Sequence, residues 1–254
     1  MNIDSIQKTF LNRVSAAIGR STPDAAFEDL FPGMDSAQCA ERLAAIRQRP
    51  RKALEGLLEA LRAAAGPLNL GLSVVPDAAA AAEAVVDLIL DAAPEWGDEK
   101  SVVGWDHPLV ASLDLQSRLT KHGIPFDTPR PSDSQAPFDR SRFRSRVERA
   151  FVGVTSADYC VADTATLTMI TRPGEPRTVS LVPSIHVAVI RMDQLVADLT
   201  ELYTLIDPAT TGEADTVGRC MTFISGPSKT ADIELVMVHG AHGPRAMHLY
   251  VITE

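Results

Sequence analysis

The apolar positions of residues 1–66 recur at helical spacing. Intervals of three and four residues, typical of an amphipathic helix, separate Ile3, Ile6, Phe10, Val14 and Ile18. Two more helical segments follow at 36–48 and 52–65, and Gly66 with Pro67 closes the second. The pattern predicts a helical N-terminal appendage over residues 1–66.

From residue 67 onward, short apolar runs alternate with helical segments. The pattern predicts strands at 70–75, 102–105 and 124–126, and helices at 77–92 and 109–121. Strands that alternate with helices indicate βαβ units. Residues 67–254 are therefore predicted to form an α/β domain, a largely parallel sheet with flanking helices. Ligands of such sheets bind at the carboxyl ends of strands, where Asp106 and Asp127 stand as ligand-binding candidates or simple caps.

The C-terminal half is predicted to contain one basic helix and several strands. Residues 140–149 carry five arginines, and Arg142, Arg146 and Arg149 share a helix face that is either solvated or turned to an acidic partner or anionic ligand. The further predicted elements are a hairpin of strands 166–170 and 178–182 with its loop at 171–177, a strand at 187–190, a helix capped by Asp193 and ending near Ile206, and strands at 221–224 and 247–252 that finish the sheet.

Composition narrows the possible functions. The chain has 254 residues, 45% of them hydrophobic, and a formal net charge of −9, which argues against a nucleic-acid-binding surface. No membrane span is expected, because Glu83, Asp87 and Asp91 place carboxylates on one face of the most alanine-rich helix. The first residues lack an export signal, so we expect a cytoplasmic location.

The three cysteines are widely separated. Cys39, Cys160 and Cys220 form no Cys-x-x-Cys pair, whereas iron–sulfur clusters and structural zinc usually use closely spaced thiolates. We therefore expect no cluster bound by this chain alone, and we interpret all three cysteines as small core residues.

The segment 224–230 follows a predicted strand and precedes a run of helical character. Gly226 permits a close approach of the backbone, and the neighbouring side chains suit a carboxylate or a phosphate: Ser225, Ser228, Lys229 and Thr230. Alternatively, this is a capped helix start, in which Ser228 or Thr230 satisfies backbone amides.

Further candidates lie on both sides of this segment. His239 and His242 could share a metal with Asp232 or Glu234, but Gly243 and its neighbours indicate an irregular turn that does not fix the spacing, so no metal site is assigned.

A second group of candidates comprises two acids and a histidine. Asp158 and Asp163 could act as acid and base, and His186 could titrate near neutrality. Nearby hydroxyls could donate hydrogen bonds to a substrate: Thr155, Thr164 and Thr166. Alternatively, the acids and hydroxyls form local turns, and His186 is structural.

Several of these segments occur together in a recognisable order. They are Gly153-Val154-Thr155, Asp163-Thr164-Ala165-Thr166-Leu167, Val179-Ser180-Leu181-Val182-Pro183, the stretch from Ile224 through Ser225-Gly226-Pro227-Ser228 to Glu234, and His242-Gly243-Pro244. The combination resembles the LUD domain, and specifically the lactate utilization protein C family. The resemblance is dense over 151–253 and only architectural over 67–150. One departure stands out, because Asp163-Thr164-Ala165-Thr166 replaces a common Glu-Thr-Gly-Thr.

The resemblance carries expectations about fold, function and site. It implies a fold related to the NagB/RpiA/CoA-transferase-like group, and a cluster-free subunit of a cytoplasmic complex that oxidises L-lactate to pyruvate with iron–sulfur partner proteins. Asp163, Asp232, Glu234 and His186 are the candidate catalytic residues. The candidate substrate-binding residues are Thr155, Asp158, Thr164, Thr166, Ser225, Gly226, Ser228, Lys229, Thr230, His242 and Gly243.

Two other functions remain compatible with these residues. The chain could be an independent CoA-transferase-like or ligase-like enzyme, in which segment 225–230 binds the anion and Asp232 or Glu234 acts as base or metal ligand. It could also be a binding module that senses an organic acid.

Overall fold

The computed structural model describes residues 9–10, 12–14, 16–17, 36–95, 97–129, 139–206, 220–230 and 238–254. Its contacts divide the chain into two compact units, Met1–Cys39 and Ala40–Glu254. In the first unit, the described residues between 9 and 17 are helical. The boundary predicted at residue 66 stays a prediction, while the contacts place the helix that precedes it in the same unit as the sheet.

The helices from residue 36 onward are α1 (Ser36–Arg47), α2 (Arg51–Leu68), α3 (Ala78–Asp91), α4 (Pro108–Ser112), α5 (Leu115–Thr120), α6 (Arg140–Arg149), α7 (Thr178–Leu181) and α8 (Leu199–Ile206). The strands are β1 (Gly71–Val75), β2 (Val102–Gly104), β3 (Phe126–Asp127), β4 (Val152–Thr155), β5 (Tyr159–Val161), β6 (Thr166–Ile170), β7 (Ile185–Arg191), β8 (Leu195–Val196), β9 (Met221–Ile224), β10 (Lys229–Thr230), β11 (Val238–His239) and β12 (Ala246–Ile252). None of the described helices is long and apolar enough to cross a membrane.

The main sheet has six strands in the order β1-β12-β7-β4-β2-β3, and every neighbouring pair is parallel. Its central strands are buried on both faces, as expected of a parallel sheet covered by helices. Helix α3 packs on it through Ala82, Val85 and Ile89, and α2 through Leu58 and Leu61. The predicted α/β class is confirmed.

A second sheet, in the order β8-β5-β6-β9, lies beyond the carboxyl end of β4. Strand β6 runs antiparallel to β5 and β9, and β8 is parallel to β5. The strand predicted at 221–224 therefore belongs to this sheet, whereas the one predicted at 247–252 lies in the main sheet. The two-residue strands β10 and β11 pair separately.

The hairpin predicted from 166–170 and 178–182 is wrong. Both edges of β6 are already occupied by β5 and β9, so no edge remains for a third partner. Residues 178–181 instead form the short helix α7, whose first turn is closed by backbone bonds from Val179 and Ser180 to Pro176 and Arg177.

Two predicted helices begin or run differently in the structure. Asp114 adopts a left-handed backbone conformation (φ 47°), which aspartate tolerates better than most residues, and it divides 109–121 into α4 and α5. Asp193 does not cap α8. It pairs with Arg191, and Asp198 accepts the hydrogen bond from the Glu201 amide at 2.8 Å.

Two smaller expectations are also corrected. Lys229 and Thr230 form a strand rather than a helix start, and residues 231–237 lie outside the described residues. Of the three cysteines, Cys160 alone is a core residue, since Cys39 is half-buried and Cys220 is exposed.

Candidate functional site at the carboxyl edge of the sheet

The carboxyl ends of β2, β4 and β7 surround a cavity of about 460 Å³. These strands are adjacent in the sheet, so the residues that follow them meet at one edge. We call this space the carboxyl-edge cavity. Its charged and polar lining consists of His107, Asp158, Tyr159, Arg172, Glu175, Arg191, Asp193 and Gln194.

The topology of the sheet explains why a cavity forms there. The strand that follows β2 in the main sheet is β3, on one side, whereas the one that follows β4 is β7, on the opposite side. Connections that leave neighbouring strands in opposite directions open a crevice, and α/β proteins bind ligands in that crevice. His107 and Asp158 stand on its two walls.

Arg172 is held by two carboxylates in this cavity. Its Nη1 lies 2.6 Å from Asp158 Oδ1 and 3.5 Å from Glu175 Oε2, and it also donates to the Ile170 carbonyl. Asp158 is fixed in turn by the Ile170 amide, which donates to Oδ2 at 2.6 Å. Burial raises the pKa of Glu175, while Arg172 acts in the opposite direction.

His107 contributes an uncharged imidazole. Its Nδ1 accepts the Leu109 amide hydrogen bond at 3.2 Å and thereby caps α4. Burial lowers the pKa of His107, with Asp158 opposing this effect. Because Nδ1 is an acceptor, the proton of the neutral ring resides on Nε2.

The far wall of the cavity is an exposed ion pair on a fixed backbone. Arg191 Nε lies 3.1 Å from Asp193 Oδ1. The Arg191 amide donates to Gln194 Oε1 at 2.7 Å, and Gln194 Nε2 donates to the Ala157 carbonyl. Gln194 therefore ties the end of β7 to the residues after β4.

Among the predicted residues, His186 and Thr155 are buried together inside the sheet. His186 pairs in register with Gly153, and its Nε2 lies 2.8 Å from Thr155 Oγ1. Within the described part of the chain, its Nδ1 has no hydrogen-bond partner. Burial lowers the pKa of His186 to about 3, so the expectation that it titrates near neutrality is wrong. Its catalytic role stays a prediction.

The predicted hydroxyls gather around Thr166. Its Oγ1 lies 2.7 Å from Ser225 Oγ and 2.9 Å from Thr164 Oγ1. Asp163 and Thr164 are exposed on the turn before β6. Ala165 within that turn is fully buried and has a left-handed backbone (φ 46°), the conformation that glycine adopts without strain.

The two glycine-bearing loops lie against each other. Ser228 donates its amide to Pro244 at 2.8 Å, and its Oγ accepts from the His242 amide at 3.4 Å. A Cβ on Gly243 would lie 3.4 Å from Ser228 Cβ. His242 and Gly243 precede β12, so these contacts lie at the amino edge of the main sheet, opposite the carboxyl-edge cavity.

Segment 225–230 is also fixed to the end of α2. Lys229 Nζ donates to the Leu68 carbonyl at 3.0 Å. Gly226 has a φ of 77° and approaches the same residue closely, because a Cβ there would lie 3.1 Å from the Leu68 carbonyl oxygen. The lysine therefore already has a structural partner. Asp232, Glu234 and the side chain of Thr230 lie outside the described residues.

Of the predicted site residues that the structure describes, only Asp158 lines the carboxyl-edge cavity. His107, Arg172, Glu175 and Arg191 were missed. One signal was present, because His107 directly follows Asp106 at a predicted strand end. Arg172 and Glu175 lie in the segment predicted as a hairpin loop, where no motif marks them as site residues.

A second cavity adjoins the first. This apolar groove, of about 890 Å³, lies between α6 and the segment before α7. Phe143, Val147 and Val182 line it, together with the exposed residues Arg140 and Arg144, and Arg172 lines both spaces.

The fold and this cavity define an α/β protein with a polar crevice at the carboxyl edge of a six-stranded parallel sheet. A crystal structure of a DUF162 family protein from Deinococcus radiodurans shares the fold, with a TM-score of 0.52 and 19% identity over 78% of this chain and 98% of that one. Residues 58–252 match the LUD domain, and the chain belongs to the LUD domain family.

Several relatives bear the name lactate utilization protein C. That of Shouchella clausii is 35% identical over 63% of this chain and 65% of its own length, and that of Halalkalibacterium halodurans is 31% identical over 60% and 63%. The matches thus span less than two thirds of these relatives. The uncharacterized protein YkgG of Escherichia coli is 28% identical over 95% of this chain and 96% of its own length.

Proposed function

We propose that this chain is the cluster-free component of a cytoplasmic iron–sulfur assembly that oxidises L-lactate to pyruvate. The observation that carries the proposal is the family match over residues 58–252, together with relatives named lactate utilization protein C. The electron-transferring clusters would reside on partner proteins, and this chain would recognise the small carboxylate or position a partner.

The chemistry of the cysteines supports a cluster-free role. Thiolates, not thiols, bind iron. Cys160 lies in the core, and burial raises the pKa of its thiol to about 12. Cys39 and Cys220 lie far from it in sequence, and no two cysteines form the closely spaced pair that iron–sulfur clusters usually use.

Helix α6 and the apolar groove beside it are the proposed docking surface for a partner. The helix carries five arginines and one glutamate in a chain of net charge −9. An apolar groove with a basic rim complements a protein segment whose apolar side chains are flanked by acids.

The decisive experiment is a reconstituted assay. Lactate oxidation is measured with the cluster-bearing partner proteins, with and without this chain. We expect oxidation to depend on its addition, and we expect the chain to co-purify with those partners. Full oxidation in its absence, or turnover of a small carboxylate by the chain alone, would contradict the proposal.

A further inference from the structure

The carboxyl-edge cavity contains an arginine whose binding edge is not in use. Every contact of Arg172 with the described residues is made by Nη1. The Nε–Nη2 edge of the same guanidinium has no partner among those residues. That edge carries two parallel N–H donors and matches the geometry of a carboxylate.

The contacts of Nη1 also restrict the motion of this arginine. Asp158 and Glu175 hold the guanidinium from one side, and the Ile170 amide orients Asp158. A guanidinium fixed in advance loses less side-chain entropy when it binds a ligand. The arrangement therefore favours ligand binding over a purely structural ion pair.

A second donor stands on the opposite wall. His107 uses Nδ1 for the cap of α4, which leaves the Nε2 hydrogen for a group in the cavity. Among the described residues, no side chain or carbonyl accepts that hydrogen. A neutral N–H donor suits a hydroxyl or keto oxygen better than a second charge.

The charges of the cavity limit how much negative charge a ligand can bring. Asp158, Glu175 and Asp193 face two guanidiniums, those of Arg172 and Arg191. The Arg191–Asp193 pair is exposed to water, so its two opposite charges contribute little to the electrostatic potential in the cavity. Three carboxylates and two guanidiniums leave the lining with a formal charge of −1, so a dianion such as malate would meet stronger repulsion than a monoanion.

We propose that the carboxyl-edge cavity binds a small 2-hydroxy- or 2-oxo-monocarboxylate, whose carboxylate pairs with Arg172 while His107 donates to the neighbouring oxygen. The choice of this ligand class rests on the proposed function, whereas the site and the roles of its residues follow from the geometry. Both residues lie outside the loops that carry the family resemblance.

Binding to the purified full-length chain tests the site directly. Calorimetry or NMR titration is performed with L-lactate and pyruvate, and with two analogues: propionate lacks the 2-oxygen, and lactamide lacks the carboxylate. We expect lactate or pyruvate to bind at least about tenfold more tightly than either analogue, because each analogue leaves one donor of the site unpaired.

Two variants separate the two donors. Arg172→Lys keeps the positive charge but loses the two parallel N–H donors, so the affinity for lactate and for propionate should fall about tenfold. His107→Asn retains a good helix cap but withdraws the Nε2 hydrogen, so lactate should bind only as well as propionate, whose own affinity is unchanged. Arg51→Gln, which removes an exposed ion pair on α2, serves as the control and should bind normally.

Equal affinity for lactate and propionate in the wild-type chain would overturn the proposal, as would normal lactate binding by both variants. The result is independent of the reconstituted assay. A chain that binds no carboxylate but is still required for lactate oxidation would refute this site alone, whereas a chain that binds lactate but is dispensable for oxidation would refute the proposed function alone.

Discussion

His186 illustrates how burial decides the chemistry of a single residue. It lies on β7, the strand between β4 and β12, and its buried ring has Thr155 as hydrogen-bond partner. The environment favours the neutral imidazole, because the interior cannot solvate a charge. His186 therefore acts as a neutral hydrogen-bonding group near neutral pH, and any acid–base role would need a residue nearer the cavity.

This burial predicts a specific loss of stability in acid. The folded pKa of about 3 lies below the unfolded value of 6.5. The contribution of His186 to stability is therefore complete above pH 6.5 and is lost as the pH falls from 6.5 towards 3. At pH 5 the free energy of unfolding should be lower by about 2 kcal/mol from this residue alone.

Urea unfolding at pH 7.5 and pH 5.0 measures this effect. In His186→Gln the side-chain amide can still reach Thr155 but does not titrate, so the difference between the two pH values should shrink by about 2 kcal/mol. All other titrating groups are common to the wild type and the variant, so their contributions to the pH dependence cancel in the comparison. A variant with the same pH dependence as the wild type would show that His186 is not the cause.

At the scale of elements, the close contact between β4 and α7 is possible because Gly153 has no side chain. A Cβ on Gly153 would lie 1.9 Å from the Val179 carbonyl oxygen. Both atoms belong to fixed backbone, so neither can move aside. Gly153 is also the in-register neighbour of His186, and this contact therefore positions the buried pair as well.

Gly153→Ala should thus be severely destabilising. We expect a loss of at least about 3 kcal/mol in the free energy of unfolding, since the clash forces α7 away from the sheet. Gly56→Ala is the matched control, because Gly56 lies exposed in α2 with open space at its Cβ position. That variant should gain about 0.5–1 kcal/mol. Similar effects of the two substitutions in thermal or urea unfolding would contradict this account.

Helix α6 provides a test of the proposed docking surface. Replacing Arg140 and Arg144 together by Glu reverses the charge of the groove rim without touching its buried residues Phe143 and Val147. We expect co-purification with the proposed cluster-bearing partners to be lost while the melting temperature stays nearly unchanged.

The control for this test replaces Arg51 and Arg62 of α2 by Glu. Both are exposed and paired only within their own helix among the described residues. Retention of the partners by the α6 variant, or equal loss in the α2 variant, would exclude α6 as the docking surface.

For the molecule as a whole, one ion pair links distant parts of the chain. Arg49 Nη2 lies 2.5 Å from Glu201 Oε1, and these side chains are only 14% and 15% exposed. The second carboxylate oxygen of Glu201 accepts the Ala197 amide at 2.7 Å. The connection between α1 and α2 is thereby attached to the start of α8.

A double-mutant cycle quantifies this link. Arg49→Met, Glu201→Gln and the double variant should give a coupling free energy of about 1–3 kcal/mol in urea unfolding, more than an exposed pair provides. The same cycle on Arg144 and Glu148, an exposed pair within α6, should give less than about 0.5 kcal/mol. Equal coupling in the two cycles would show that burial does not strengthen the Arg49 pair.

The sequence predicts features that depend on neighbouring residues better than features that depend on contacts between residues far apart in the chain. The helix predicted at 77–92 forms at Ala78–Asp91, and a local contact begins it, because the Asp77 carboxylate accepts the Ala80 amide hydrogen bond at 2.8 Å. The hairpin failed because no local pattern shows that both edges of β6 are occupied. The carboxyl-edge cavity draws on residues 107, 158, 172, 175, 191, 193 and 194, which the sheet order brings together. The loops recognisable as motifs at 225–230 and 242–244 pack at the opposite edge.

Arg172 belongs to the walls of both the carboxyl-edge cavity and the apolar groove. A carboxylate in one and a partner protein in the other would therefore share a single guanidinium. If filling the groove changes the free energy of carboxylate binding, thermodynamic reciprocity requires the carboxylate to change partner affinity by the same factor. Through this one side chain, carboxylate binding would then change the affinity for the partner protein, and partner binding would change the affinity for the carboxylate.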